Sequence, residues 1–245
     1  MKADPADQSK LLGLAELDMS LARNRSTRTK LPEAQRVDEL SDQLTQSRSS
    51  TRDALGVVDE LQAEVSRAES DVQLVEQRLA RDTQRLDQSS SVKDVQGLQH
   101  EIDTLRERLS VLEEVELEVM ERLEAAQKQL TEAEAETQRL EAEVASATEA
   151  RNQALAQLDE ETSQLEASRA ELVAELPADL VELYERQRER YGVGASLLRA
   201  GISSASGVKL TESDLAEVRK AADDDVVLCP DSNAILVRTA ESGLS

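Results

Sequence analysis

The sequence contains no phenylalanine and no tryptophan, and tyrosine occurs only at positions 184 and 191. Aromatic side chains bury the most area per residue and dominate ordinary cores. A chain of 245 residues with so few of them must be held together by Leu, Val and Ala, which excludes a conventional globular core of that size and points to helical packing. Cys229 is the sole cysteine, so no intramolecular disulfide framework can form, as suits a reducing compartment. His100 is the sole histidine and no Gly-rich phosphate loop is present, which removes the usual triad and nucleotide-binding chemistries. No apolar run approaches the ~18 residues of a membrane span, and the N-terminal MKADPADQSK lacks the apolar core of a signal peptide. The expectation is a cytoplasmic protein with no membrane attachment.

What the chain has in abundance is charge and helix formers. Ala, Glu, Leu, Arg and Gln dominate its first three quarters, the composition of long helices. A third of all residues are charged, so these helices must be thin enough for most positions to reach water. The formal net charge of −22 opposes non-specific attachment to nucleic acid or anionic lipid, both of which draw on clustered Lys and Arg. The local basic groups, Arg23, Arg25, Arg28 and Lys30 near the start and Arg186, Arg188 and Arg190 further on, read as solvated helix faces.

Apolar residues spaced alternately by three and four positions keep one helix face against a partner. Such a seam runs Val37, Leu40, Leu44, Ser47, Thr51, Ala54, Val58, Leu61, Val65, Ala68, Val72, Val75, Leu79, Asp82, Leu86. Its phase is unbroken, with a polar patch at Ser47 and Thr51. A second seam begins at Leu98 and continues through Ile102, Leu105, Leu109, Leu112, Glu116, Val119, Leu123, Ala126, Leu130, Ala133, Thr137, Leu140, Val144 and Ala147. Between them the polar residues Asp87, Gln88, Ser89, Ser90 and Ser91 compete with the helix backbone for hydrogen bonds, and Ser91 with Asp94 reads as a cap that restarts a helix. Residues 1–176 are thus expected to form an antiparallel two-helix coiled-coil hairpin turning near 87–92. Pro32 suits a first-turn position and should separate a leading helix from the main arm, and Gly56 is a milder weak point.

After Leu176 the pattern changes. Pro177 starts a short helix carrying Leu180, Leu183 and Tyr184 on one face, ended by Gly192 and Gly194. Short apolar runs at 195–198, 226–228 and 234–237 read as strands, Thr211 to Asp214 as the cap of a helix running to about Ala222, and Pro230 to Asn233 as a turn. Residues 177–245 are therefore expected to form a small α+β domain, giving a mainly α chain.

This order of elements resembles the bacterial C4-type zinc-ribbon family of long coiled-coil hairpin proteins, whose tails carry two Cys-x-x-Cys knuckles, the second followed by Gly-Arg-Ile-Leu-Val-Arg. Here Cys229-Pro230-Asp231-Ser232-Asn233-Ala234-Ile235-Leu236-Val237-Arg238 matches the second knuckle and its trailing strand, and Ser203 to Ser206 occupy the place of the first. The resemblance implies a zinc-ribbon-like C-terminal domain and an adaptor role linked to transcription or secretion machinery. A structural zinc site needs four N or S donors, whereas the matching positions are Ser203, Ser206, Cys229 and Ser232. The family's zinc is expected to be lost, leaving no cofactor, with the fold held by packing of Ile202, Leu210, Leu215, Val218, Val227, Leu228, Ile235 and Val237.

No catalytic constellation emerges. His100 reads as a half-exposed helix residue, Cys229 as a small buried one, and Asp223, Asp224 and Asp225 as a solvated loop, while the abundant Glu pairs of the arms have no pocket in which to be tuned. The chain reads as a non-catalytic scaffold that binds a protein partner through its arms and C-terminal knob. The alternative, nucleic-acid binding through the ribbon-like domain, meets a tail that from Tyr191 onward holds five Lys or Arg against eight Asp or Glu. Leu55, Leu74, Val111 and Val115 lie off the seam and leave self-association open.

Overall fold

The computed structural model describes residues 1–244; Ser245, the last residue assigned to the C-terminal domain, lies outside them. Four helices lead the chain: α1 (Pro5–Thr29), α2 (Pro32–Gln88), α3 (Val92–Ala174) and α4 (Ala178–Tyr191). They are followed by β1 (Ala195–Arg199), β2 (Ile202–Ser203), α5 (Glu212–Lys220), β3 (Ile235–Val237) and a 3-10 turn at Ala240–Ser242. Two compact units result. One joins Met1–Pro32 to Ala150–Ser245, and the other is Glu33–Glu149. The break between α3 and α4 spans residues 175–177, and α1 and the end of α3 pack with the C-terminal segment.

Within Glu33–Glu149, α2 and α3 form the antiparallel hairpin. Pro32 opens α2 where its missing N–H costs no helix bond, and the turn occupies residues 89–91. Leu61 and Val65 of α2 meet Val119, Leu123 and Ala126 of α3, and Leu40 and Leu44 meet Leu140, as the two heptad seams require. The ion pairs Arg48–Glu141, Glu64–Arg122 and Arg78–Glu101 confirm the antiparallel order, since α3 numbers fall as α2 numbers rise. The polar seam patch closes on itself. The Thr137 hydroxyl lies 2.8 Å from that of Ser47 and 2.9 Å from that of Thr51, and Thr51 also donates to the Ala133 carbonyl at 3.2 Å. Helix α2 passes through Gly56 without interruption.

In the other unit, Leu11 and Leu14 of α1 pack with Leu176, Leu180, Tyr184, Ala195, Ile235 and Val237. A second cluster holds Leu198, Leu210, Leu215, Val218, Cys229 and Leu236. The sheet order is β2-β1-β3, with β2 antiparallel to β1 and β3 parallel to it, Ala195 opposite Ile235. Helix α5 lies between the parallel pair in sequence and opens on the expected capping box, Thr211 with Asp214.

Two expectations about the tail are corrected. Residues 226–228 do not form a strand: Leu228 makes an isolated bridge to Ile235, and Val227 accepts from the Leu236 N–H at 2.8 Å. The backbone of this stretch is divided among different partners, Asp225 bridging to Lys2, the Val226 N–H donating to Met1 and the Cys229 N–H to Ala234, so no continuous ladder runs through it. Ile202 and Leu228 are exposed, not core, because in each case the residue that follows, Ser203 or Cys229, takes the buried side. The N-terminus, which carried no strand signal, is bound in, with the Ala3 N–H donating to the Asp224 carbonyl at 2.8 Å and the Val226 N–H to that of Met1 at 3.1 Å.

Two glycines test this packing in opposite directions. A Cβ at Gly56 would meet nothing within 4 Å, so Gly56→Ala should raise stability by up to ~1 kcal/mol through helix propensity. A Cβ at Gly194 would lie 2.4 Å from the buried Tyr184 ring, so Gly194→Ala should cost about 1–3 kcal/mol by overpacking. Urea titrations of the two variants measure both.

Candidate functional site

A cleft of about 770 Å³ opens among α1, the end of α3, α4 and the glycine pair that follows it, all within the unit Met1–Pro32 with Ala150–Ser245. The local sequence explains it. Ala15 and Ala22 on α1 and Ala170 and Ala174 on α3 are too small to fill the space between the helices. Gly192, with φ of +84°, then ends α4 in a left-handed turn, and Gly194 lets the backbone approach the face of Tyr184.

Asp18 supplies the polar side of the cleft. Its carboxylate accepts from Arg169 Nε at 2.8 Å, Arg188 Nη1 at 3.3 Å and the Tyr184 hydroxyl at 2.7 Å. Glu185 completes the set, pairing with Arg169 and, at 2.8 Å, with Arg188. Two guanidiniums thus balance two carboxylates. Burial pushes the Tyr184 phenol well above its ordinary range, and its hydrogen bond to the Asp18 anion pushes the same way. Bonding to Asp18 holds Arg169 more firmly charged against the opposing effect of burial. A neutral phenol and a carboxylate already bonded three ways offer neither a base nor a nucleophile. The cleft also presents exposed Met19, Arg25, Glu166 and Glu189.

Asp18 and Arg169 went unnoticed in the sequence, and Arg188 reads there as solvated. The available signal was spacing: Asp18 lies on the stripe of Leu11, Leu14 and Leu21, an acid on an otherwise buried helix face. The remaining basic residues meet the solvated reading more closely. Arg28 pairs with Asp159, Arg186 with Glu182 at 2.7 Å, and Arg190 lies 5.3 Å over the Tyr191 ring.

The degenerate knuckle positions are partly brought together. Burial pushes the Cys229 thiol up, but the hydroxyls of Ser203 and Ser232 and the backbone N–H groups of Ser232 and Asp231 outweigh it, and the thiol sits below its usual range. The Ser203 hydroxyl is buried 2.8 Å from that of Ser196, which in turn accepts from the Ala205 N–H at 3.1 Å. Ser206 is engaged in its own turn, accepting from the Val208 N–H at 3.2 Å, and Ser232 accepts from the Ala234 N–H at 3.4 Å. One thiol and three hydroxyls committed to such bonds do not fit the tetrahedral N and S set of a structural zinc site. Among the described residues no group of three or more His, Cys, Asp or Glu is arranged to hold a metal ion. Asp224 instead pairs with Lys2 at 2.8 Å, the Asp225 carboxylate accepts from the Ala222 N–H at 3.0 Å, and His100 is exposed on α3.

The family model that matches this chain describes a CT398-like coiled-coil hairpin domain and covers residues 14–192. Among curated proteins, the chain is 36% identical over 239 residues to the uncharacterized protein Rv2229c of Mycobacterium tuberculosis, spanning 97% of this chain and 98% of that one. A solved structure from Mycobacterium smegmatis is 37% identical with a TM-score of 0.85, over 97% of this chain and all of the other. CT398 from Chlamydia trachomatis shares the fold at a TM-score of 0.64 and 16% identity, covering 94% of this chain and 97% of its own.

The cleft's polar cluster is testable by stability. Asp18→Ala removes the phenol's acceptor and leaves two arginines sharing Glu185 alone, and should cost about 3 kcal/mol, read as a fall in Tm. Tyr184→Phe should cost about 1 kcal/mol at neutral pH. Because the folded phenol's pKa is raised, its contribution is complete below the unfolded value of about 10 and is lost as pH rises through the folded one. The wild-type chain should therefore lose stability above that pH more steeply than Tyr184→Phe, in denaturant titrations across the alkaline range.

Proposed function

The chain belongs to the CT398-like coiled-coil hairpin family, and we propose that it is a non-catalytic scaffold that binds protein partners through its hairpin and its C-terminal unit. The observation that carries this reading is the cleft around Asp18, whose central ionisable groups are consumed by one another while Met19, Val193 and the small residues of α1 and α3 stay open to a guest. Side chains of that kind receive a protein surface, and nothing in the set is poised for bond making. An adaptor role near transcription or secretion machinery follows by analogy with the ribbon family that the tail resembles. Nucleic acid is disfavoured as partner by the net charge of −22. No helix among the described residues is long and apolar enough to cross a membrane, and the lone buried thiol suits the cytoplasm.

The tail, in this reading, folds without zinc. The hydroxyl bonds of Ser196 and Ser203 and the cluster around Leu198, Cys229 and Leu236 take the place of a metal core. Dialysis against a strong chelator should then leave Tm unchanged, with no zinc released to a colorimetric indicator; a chelator-dependent fall in Tm would reverse the assignment.

For the scaffold itself, Ala22→Arg and Ala170→Arg fill the cleft from opposite helices. Affinity capture from the native cell with the full chain should lose its specific protein partners in either variant while circular dichroism stays constant. Salt-sensitive retention of DNA or RNA in a filter-binding titration would instead favour the nucleic-acid alternative.

A further inference from the structure

We propose that one flank of the hairpin, centred on Leu117 and Met120 of α3, is a docking face for a basic amphipathic helix of a partner protein. The inference rests on the scaffold reading above and names a partner chemistry at a site separate from the cleft. Both residues are large, apolar and open to solvent, 60% and 47% exposed. They do not belong to the seam, which passes through Leu112, Glu116, Val119 and Leu123 on a neighbouring face.

Spacing makes them part of a stripe. Glu113, Leu117, Met120 and Glu124 follow one another at four, three and four residues, a single line along α3. Across the hairpin the same flank is identified by the Arg48–Glu141 pair at 2.7 Å. Moving three heptads along both helices takes Arg48 to Glu69 and Glu141 to Met120, so Glu69 faces Met120 as Arg48 faces Glu141. The two apolar side chains are thereby framed by Glu69, Glu113, Glu121 and Glu124.

The acids of this flank stand without basic partners. Glu101, Glu136, Glu141 and Glu143 are each paired with an arginine, whereas Glu69, Glu113, Glu121 and Glu124 have no ion pair among the described residues. The arginine nearest in sequence, Arg122, is turned to the opposite flank, where it meets Glu64 at 3.4 Å. That opposite flank carries its own exposed apolar residues, Leu74, Val111 and Val115, but it is bounded by the ion pairs Arg78–Glu101 and Glu64–Arg122, and the heptad register adds Arg67, Arg81 and Arg108 to it, so its charge is mixed.

Charge complementarity selects the occupant. A second copy of this chain would bring carboxylates against carboxylates, which like-charge repulsion opposes. A helix with aliphatic side chains on one face and Lys or Arg beside them would cover Leu117 and Met120 and neutralise the frame at once, the helix-in-groove mode of recognition.

The test is fluorescence anisotropy with the full chain and a labelled synthetic helix bearing a Leu stripe flanked by Lys, alongside the same peptide with Glu in place of Lys. The Lys peptide is expected to bind with an affinity that falls steeply with salt, and the Glu peptide not to bind. Leu117→Ser with Met120→Ser should weaken binding about tenfold, the loss that follows from removing ~1.4 kcal/mol of apolar contact, with the salt slope preserved. The triple change Glu113→Gln, Glu121→Gln and Glu124→Gln should flatten the slope. Matched controls, Glu107→Gln with Glu132→Gln and Glu134→Gln, and Val111→Ser with Val115→Ser, should bind as the parent does, with helicity unchanged in all variants. Equal losses in the controls would reduce the effect to general acidic attraction and overturn the proposal, as would binding of the Glu peptide or no binding at all. Sedimentation showing that Leu117→Ser with Met120→Ser splits a dimer would assign the face to a second copy. If the cleft variants lose their partners while this flank is silent, the proposal fails and the scaffold reading stands.

Discussion

In Glu33–Glu149 everything depends on one narrow aliphatic seam. With no large aromatic residue available there, a helix of this unit can remove from water only the stripe at positions three and four apart, and each must find its complement on the other. Polar seam positions are tolerated only where they satisfy one another. Ser47, Thr51 and Thr137 do so with two short hydroxyl contacts and a donation to a carbonyl, and a valine at any one of them would leave its neighbours short of partners. Because the seam uses so few side chains, the rest of the helical surface stays open to water and is free to vary in charge. That is why charge, and not pocket chemistry, distinguishes one flank of the hairpin from the other.

The other unit solves the same shortage differently. It concentrates its bulk in Tyr184, which contacts Gly194 with its ring and binds Asp18 through its hydroxyl. Around this residue three helices exchange charges, and the alanines between them leave space. The cleft is a by-product of building with small residues next to one large one. Its lining is correspondingly mixed, apolar where the alanines are and polar where the arginines converge.

Features set by local spacing were legible in the sequence: the seams, the break before Pro32, the polar turn, the helix after Pro177 and the capped α5. Features set by long-range pairing were not. The parallel alignment of β3 with β1 involves three register pairs, too short a run for any periodic signal, and residues 226–228 carry the same β-branched composition without forming a ladder. Nothing local announces that Leu11 and Leu14 pack against Ile235 and Val237. Asp18 was the one readable exception, since a carboxylate on the apolar stripe of α1 requires a buried partner. Arg188 reads as solvated because a charged residue spaced two from others of its sign looks exposed until Asp18 of α1 and Glu185 are brought against it. At the knuckle the departure is visible in the residues themselves, since Ser203, Ser206 and Ser232 stand where the ribbon family that the tail resembles carries cysteines.

The discontinuity of the first unit has a consequence for the order of folding. Its N-terminal helix and its sheet are separated by the whole of Glu33–Glu149, so α1 cannot find Ile235 and Val237 until nearly all of the chain has been synthesised. The hairpin, by contrast, is contiguous and closes through contacts that begin close to its turn, such as Arg78 with Glu101. Zipping from there draws Arg36 toward Glu143 and shortens the loop that the discontinuous unit must later close. Until that happens Leu11 and Leu14 have no cover. The nascent chain therefore passes through a stage in which its hairpin arms are complete while its N-terminal helix is an exposed apolar surface, open to chaperones or to a neighbouring chain.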